Sequence, residues 1–283
     1  IVRVANDKMA GAIRLVSLQR GHDPRDFVLF AFGGAGPLHA VALARELAIP
    51  RVLVPARPGI TSALGCLVAD VRHDFVKTVN QGVLRLDLAE AHRILASQVD
   101  EGRRMLASEG VEVETVTVQH EADMQFVGQT HVLTVPVART DFAREDLMRA
   151  FEAAYWERFE VELREMRAQV VSLRTAVIGR RRPVSLQGLI ALEAAPAGGA
   201  VPAARRRAWF DGQWQDAPVY RREQLGIGAE LIGPAIVEQL DSTTVIEPGD
   251  RVRVDALGNL EITVRGLDAA TPPETRRPCP RLP

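Results

Sequence analysis

The residues best placed to do chemistry lie in the run Phe32-Gly33-Gly34-Ala35-Gly36-Pro37-Leu38-His39, a glycine turn between an apolar run and a helical pattern. Glycine lets a ligand approach the main chain closely, and the free amides at a helix start favour an electronegative group. A tight turn that needs positive φ and binds nothing explains the same glycines, and chemistry alone leaves both readings open. A dinucleotide fingerprint is excluded, because its third glycine would have to stand at His39 and an acidic residue about 20 positions on, where Val52-Leu53-Val54 occurs. A Walker loop is excluded as well, since it needs Gly-Lys and the only lysines are Lys8 and Lys77. His120, Asp123 and His131 contain metal-ligating types, but their spacing fits no closed zinc pattern and no cysteine is near, so they read as polar loop residues. Ser62 lacks the Gly-x-Ser-x-Gly elbow and reads as a helix-start residue. Asp70 and Arg72 are candidates for a pair or a cap. Trp209, Phe210 and Trp214 are expected to pack a small β unit rather than stack on nucleic acid.

Elements of alternating type must hold that turn. Met9, Ile13 and Val16 recur at helical spacing between Ala5 and Arg20, with Asn6 or Asp7 as a cap and Gly21 and Pro24 as a stop. Phe27 to Phe32 is a continuous apolar run, predicted to be a strand buried on both faces. The turn follows, then a helix from Pro37 to Ala48, a strand at Arg51–Val54 and a helix from Ser62 to Val71, which together make an α/β organisation. His73 to Leu86 contains extended candidates, and a helix is predicted from Leu88 to Ser108 with Leu88, Ala91, Leu95, Val99, Gly102 and Leu106 as its stripe. Strands are predicted at 111–118, 133–137 and 171–177, with Pro136 suited to an edge, and a helix at Arg144–Arg158. Beyond residue 204 the pattern is β-like, with a hairpin turn at Asp211-Gly212 and short strands at 235–240, 252–254 and 260–264. A domain boundary is placed near residue 80. Residues 188–204 are predicted to be a flexible excursion, and the Pro/Arg-rich segment 268–283 a disordered tail.

Composition narrows the function classes. With 35 basic and 36 acidic residues the net charge is −1, which leaves no long-range field to collect nucleic acid or an anionic membrane. Hydrophobic residues at 47% and charged residues at 25% are those of a globular chain, and no apolar run reaches the length of a membrane span. Two cysteines, Cys66 and Cys279, build no disulfide framework, so a reducing cytoplasm is the expected setting. The opening at Ile1, directly before an amphipathic segment, is expected of a piece of a longer protein.

The segment Gly21-His22-Asp23-Pro24-Arg25-Asp26-Phe27, continued by Ala31 to Ala40, resembles the signature of the hydantoinase A/5-oxoprolinase family. Val54-Pro55, Pro58-Gly59, Ser62-Ala63-Leu64-Gly65, Ala69-Asp70-Val71-Arg72, Val127-Gly128-Gln129-Thr130-His131, Leu133–Pro136, Gly233–Thr244 and Gly258-Asn259-Leu260 continue the pattern in order. The likeness is to the family's carboxy-terminal half. It implies that residues 1–80 end an actin-like, sugar-kinase-like ATPase domain and that 81–267 form a mixed α+β carboxy-terminal domain with a β-rich end. It also implies that Gly33, Gly34, Ala35, Gly36, Pro37 and His39 pack against adenosine, with His39 facing the nucleotide crevice. ATP and Mg²⁺ are the implied cofactors, with phosphate and metal ligands in an amino-terminal half that has no counterpart here. Gln125 and Phe126 stand where the family pattern has a basic residue and a tyrosine. The implied activity is ATP-dependent hydrolysis of a cyclic amide such as a hydantoin or 5-oxoproline, with a hydantoinase B-like partner in a hetero-oligomer and no activity in this chain alone. The alternatives are a subunit of an ATP-dependent ketone carboxylase and a non-catalytic assembly subunit.

Overall fold

A computed structural model describes residues 1–161, 166–183 and 200–267. The chain divides into two compact units, one built from residues 1–67 together with the segment after residue 184, the other from Val68–Val184. The boundary predicted near residue 80 falls inside a strand, Val71–Gly82. The second part of the predicted carboxy-terminal domain returns to the first unit instead of continuing the middle one.

The first unit opens with α1 (Val2–Ser17), which starts before the predicted caps, so Asn6 lies inside the helix and is buried. Met9 and Ile13 pack against the core, whereas Val16 is exposed. Strand β1 (Val28–Phe30) pairs in parallel with β2 (Arg51–Val54), and α2 (Gly36–Glu46) makes the crossover that parallel neighbours require. Helix α2 buries Pro37, Ala40, Val41, Leu43 and Ala44, with no acidic residue in its first turn. Helix α3 (Thr61–Val68) buries none of its residues.

Five strands from the far end of the chain complete this unit's core: β9 (Glu230–Ile232), β10 (Ala235–Gln239), β11 (Ser242–Ile246), β12 (Arg251–Val254) and β13 (Leu260–Thr263). The sheet order is β1-β2-β13-β12-β9, with β13 running antiparallel to β2 in the register Ile262↔Val52. A second sheet, β11-β10-β8-β7, uses β7 (Ala204–Phe210), β8 (Gln213–Arg221) and β11 (Ser242–Ile246). Asp211 and Gly212 take φ of 48° and 80° at the β7–β8 turn, as the Asp-Gly pair predicts. Val41, Val52, Val237, Ile246, Val254, Leu260 and Ile262 share one core, so distant parts of the sequence are buried against each other.

The run 27–32 is not buried on both faces. Strand β1 is the terminal strand of its sheet, and Phe27, Val28, Phe30 and Phe32 are 39–48% exposed. Periodicity reports that a strand is apolar, not which polypeptide covers it.

The middle unit is a four-stranded antiparallel sheet, in the order β3-β6-β4-β5, made of β3 (Val71–Gly82), β6 (Ala168–Arg180), β4 (Thr115–Phe126) and β5 (Leu133–Val137). Helix α4 (Leu88–Ser108) packs on β3 and β6, and α5 (Arg144–Phe159) packs on β5. Pro136 sits on the edge strand β5, where a missing N–H costs no ladder bond. Val99 of the predicted α4 stripe is only half-buried, whereas Gln98, outside that stripe, is buried. The excursion predicted at 188–204 lies outside the described residues as far as 199. At its end Ala203 donates its N–H to Val219 and Ala204 already begins β7. The predicted tail, 268–283, lies wholly outside the described residues.

Candidate functional site

Three loops of the first unit meet at the carboxyl ends of the parallel strands β1 and β2, the position where open α/β sheets hold ligands. The loop after β1 continues the ladder through Ala31 N–H to Leu53 O at 2.9 Å, then crosses to the loop after β2 through Gly33 N–H to Pro58 O at 2.7 Å. Gly33 has φ of 83° with open space where a Cβ would stand, so the backbone conformation, not crowding, demands glycine there. Gly34 and Ala35 are exposed at the loop tip, Gly33 and Gly36 are half-buried, and Pro37 is buried. No side chain caps the start of α2, which leaves its first amides without a side-chain acceptor.

The loop after β2 is fixed from both sides. Ala56 donates its N–H to Asn259 Oδ1 at 3.1 Å and accepts Gln239 Nε2–H at 3.0 Å. The third loop is the β10–β11 turn, whose Ser242 hydroxyl lies 3.4 Å from Gly33 O and 3.3 Å from Gly34 O. The Asp241 carbonyl stands 3.4 Å from the position of a Cβ on Gly34, and a Cβ on Gly59 would collide with the Asp241 carboxylate. Gly59 therefore makes room for the β10–β11 turn, whereas a Cβ on Gly34 would meet it only in ordinary van der Waals contact.

His39, expected to face the nucleotide crevice, is half-buried in the first turns of α2. Its Nδ1 lies 2.7 Å from Oδ1 of the buried Asn6, which links α2 to α1. At the other end of α2, Arg45 bonds both oxygens of Asp250 at 2.9 and 3.0 Å and Glu247 at 2.9 Å. Burial alone would lower the Arg45 pKa, but bonds and charge from Glu247 and Asp250 outweigh it and raise it.

The other candidates stay apart. His120 and Asp123 are three residues apart on β4 and face opposite sides of the sheet. His120 Nδ1 lies 2.9 Å from Thr175 Oγ1, whose proton goes to Gln98 Oε1 at 2.6 Å, so the imidazole must be the donor to Thr175. Asp123 accepts from Thr134, Ser172 and Arg174, and the His131 ring lies tilted against Phe159 with centroids 5.7 Å apart. Among the described residues no three of His, Cys, Asp or Glu form a group able to hold a metal ion. Asp70 accepts from Arg181 N–H and Arg72 pairs with Asp74, so these two do not pair with each other. Ser62 is the second residue of α3. Trp209 and Trp214 form a cross-strand edge-on pair at 5.5 Å with Arg207 over Trp214, and both indoles are exposed. No helix among the described residues is long and apolar enough to cross a membrane.

Residues 1–75 match the family described as Hydantoinase/oxoprolinase, and residues 82–262 match the Hydantoinase/oxoprolinase C-terminal domain. The chain belongs to the hydantoinase/oxoprolinase family. Among curated relatives, an uncharacterized protein of Methanocaldococcus jannaschii is 35% identical over 262 residues, covering 93% of this chain and 37% of that protein. Caprolactamase subunit alpha of Pseudomonas jessenii is 29% identical over 275 residues, covering 93% and 39%. The crystal structure of ATP-dependent caprolactamase from the same organism superposes with a TM-score of 0.68 over 93% of this chain and 39% of that one. Acetophenone carboxylase gamma subunit of Aromatoleum aromaticum is 30% identical over 292 residues, covering 95% and 38%. This hydantoinase/oxoprolinase family chain thus spans less than two-fifths of the length of these relatives. The residues that sequence reading missed, Gln239, Asp241 and Ser242, lie inside its family-like run 233–244, but nothing in their local pattern shows that they fold over a loop some 200 positions earlier.

Proposed function

We propose that this chain supplies the adenosine-side wall of an ATP-dependent enzyme that opens carbon–nitrogen bonds of cyclic amides. The observation that carries the reading is the glycine loop at the carboxyl ends of β1 and β2, with an uncapped helix start behind it. Gly33, Gly34, Ala35, Gly36 and Pro37 offer main chain that an adenosine can approach without meeting a side chain larger than a methyl or a proline ring. His39 acts one step back, holding α2 against α1 through Asn6. ATP, when bound, supplies the phosphoryl group that activates an unreactive amide oxygen, and this chain's part is to bind and orient the nucleoside. The described residues offer no cluster for Mg²⁺, so no step is assigned to a metal here.

The open apolar edge of β1 and the unburied α3 support a further polypeptide lying against this unit, such as the part of the longer relatives that has no counterpart in these residues. That polypeptide would carry the phosphate and metal ligands, and a hydantoinase B-like subunit would complete a cytoplasmic hetero-oligomer. The likeness to acetophenone carboxylase gamma subunit favours a second reading, ATP-dependent carboxylation of a ketone. Bicarbonate-dependent ATP turnover by the assembled enzyme separates the two.

Equilibrium binding of adenosine and ATP to the purified chain, with Mg²⁺-dependent turnover measured in parallel, tests the reading. Expected are weak binding, no hydrolysis above background, and at least about tenfold weaker binding in Gly33→Val, where a β-branched residue at positive φ costs roughly 1–3 kcal/mol and reshapes the loop. Turnover by the chain itself, or unchanged binding in a folded Gly33→Val variant, contradicts it.

A further inference from the structure

We infer that β3 is a self-complementary edge through which two copies of this chain pair, their middle-unit sheets joining antiparallel about a two-fold axis at Val76. The inference is independent of the nucleotide reading and concerns the middle unit alone. Strand β3 is the terminal strand of its sheet, so alternate residues turn an N–H and a C=O away from β6 with no ladder partner among the described residues. Beside this edge a groove of about 410 Å³ runs between β3 and α4, lined in part by Phe75, Lys77, Ile94 and Glu101. His73 Nε2 lies 3.1 Å from Glu109 at the end of α4, and a Cβ on Gly102 of α4 would stand 3.0 Å from the Phe75 ring. The odd-numbered residues of β3 therefore face α4, and strand alternation puts Lys77 on that side as well. Val76 belongs to the opposite face and is 53% exposed. Lys77 and Glu101 are both exposed, and neither has a hydrogen-bond or ion-pair partner among the described residues.

The strand itself limits the register. Its ladder with β6 is irregular between Thr78 and Gln81, and Asn80 has φ of 49°, so the straight part of the edge ends at Thr78. A two-fold axis normal to the sheet keeps both copies of α4 on one side and sets each residue opposite one of the same face. With Val76 on the axis, Phe75 lies opposite Lys77 of the second copy, and Asp74 lies opposite its Thr78. The second copy's ammonium then enters the groove beside Phe75, next to Glu101, and symmetry makes that contact twice. The two Val76 side chains cover each other on the far face. Centring on Asp74 or Lys77 would set like charges opposite each other. Centring on Phe75 would put Lys77 against the His73 imidazole instead of Glu101, and centring on His73 would leave Val76 uncovered. Charge complementarity thus selects a second copy as the occupant of the edge.

Sedimentation equilibrium of the purified 283-residue chain tests this, with a dimer expected to populate at roughly 10–100 µM, as suits a small polar interface. Lys77→Glu and Glu101→Lys, each of which sets like charges together at both ends of the ladder, should each weaken dimerisation at least about tenfold. The double variant should recover the parent's affinity to within about threefold. All three should keep the parent melting temperature, because both side chains are exposed and unpaired. In a Cys66→Ser, Cys279→Ser background, Val76→Cys should cross-link on mild oxidation, since opposed Cα atoms of an antiparallel pair lie about 4.5–5.5 Å apart, within disulfide reach. Thr78→Cys, far from its own counterpart in this register, should not. A chain that stays monomeric to several hundred micromolar overturns the inference and makes Lys77 a charge that keeps the edge free. A dimer unmoved by Lys77→Glu, or not recovered in the double variant, runs through another surface such as the open strand β1 and overturns it too. Equal cross-linking at positions 76 and 78 overturns the register and the inference with it.

Discussion

His120 shows what a single half-buried titratable group does to a fold of this size. Desolvation lowers its pKa below the ordinary 6.5, because the charged ring would sit beneath α4 beside Thr175 and Gln98. With the folded pKa below the unfolded one, the unfolded chain takes up the proton first as pH falls. The stability this group contributes is therefore complete above about pH 6.5 and is lost progressively as the pH falls through the folded value. Urea midpoints read on the middle unit should fall between about pH 7 and pH 5, and His120→Gln, which keeps a donor for Thr175, should flatten that slope. An unchanged slope in a folded His120→Gln variant assigns the acid sensitivity to other groups. The same residue marks the limit of reading a site from sequence. His120 and Asp123 look like neighbours on paper, but strand alternation sends them to opposite faces. Gly33 was legible because positive φ is a local property. Asp241 was not, because its relation to Gly59 is set by a fold that closes over about 180 intervening residues.

Among elements, α2 is the one that aims the candidate site, and its two ends are held by unlike devices. The amino end is tied by His39 to Asn6, and the carboxyl end by Arg45 to Asp250, Glu247 and the Arg265 carbonyl. Asp250 is wholly buried and also accepts the Arg265 N–H, so it depends on Arg45 for its compensating positive charge. Arg45→Met should cost about 3 kcal/mol by leaving that carboxylate uncompensated, below the upper end of such effects because the arginine is 39% exposed. Adding Asp250→Leu should recover part of the loss, and urea denaturation of the two variants measures both. An Arg45→Met variant within about 0.5 kcal/mol of the parent would show the pair to be no stronger than an ordinary surface one. The long periodic elements were legible in advance: α4 occupies its predicted bounds, α5 overruns by one residue, and β5 matches with its edge proline. Strand β4 was placed too early, because Val111 and Val113 alternate as a strand does yet precede the ladder, which begins at Thr115.

At the scale of the whole molecule the first unit is discontinuous, with β2 and β13 adjacent in one sheet though two hundred residues apart in sequence. Hydrophobic patterning identified both strands and could not pair them, since nothing local in Arg51–Val54 specifies Leu260–Thr263 as its neighbour. The consequence is that residues 1–67 do not carry a core of their own. Leu231, Ala235, Val237, Ile246, Val252, Val254, Leu260 and Ile262 furnish the opposite side of the apolar cluster that buries Val41, Ala44 and Val52. A chain ending at Pro183 would lose all of those residues, and β2 would gain an unpaired edge. Among the described residues, Met124, Phe151 and Leu173 of the middle unit pack in a cluster drawn from residues 79–173, so the deletion removes none of its members. In amide hydrogen exchange of the shortened chain, Leu29, Phe30, Val52 and Val54 should exchange at unfolded rates, while the ladder amides of β4 and β6 stay protected. Adenosine binding should vanish with the first set, because the loop after β2 then loses Asn259 and Gln239 and the glycine loop loses Ser242. Slow exchange at Val52 and Val54 in that chain would mean that the β1-α2-β2 segment folds without its distant strands, and that the glycine loop takes its shape from local sequence alone.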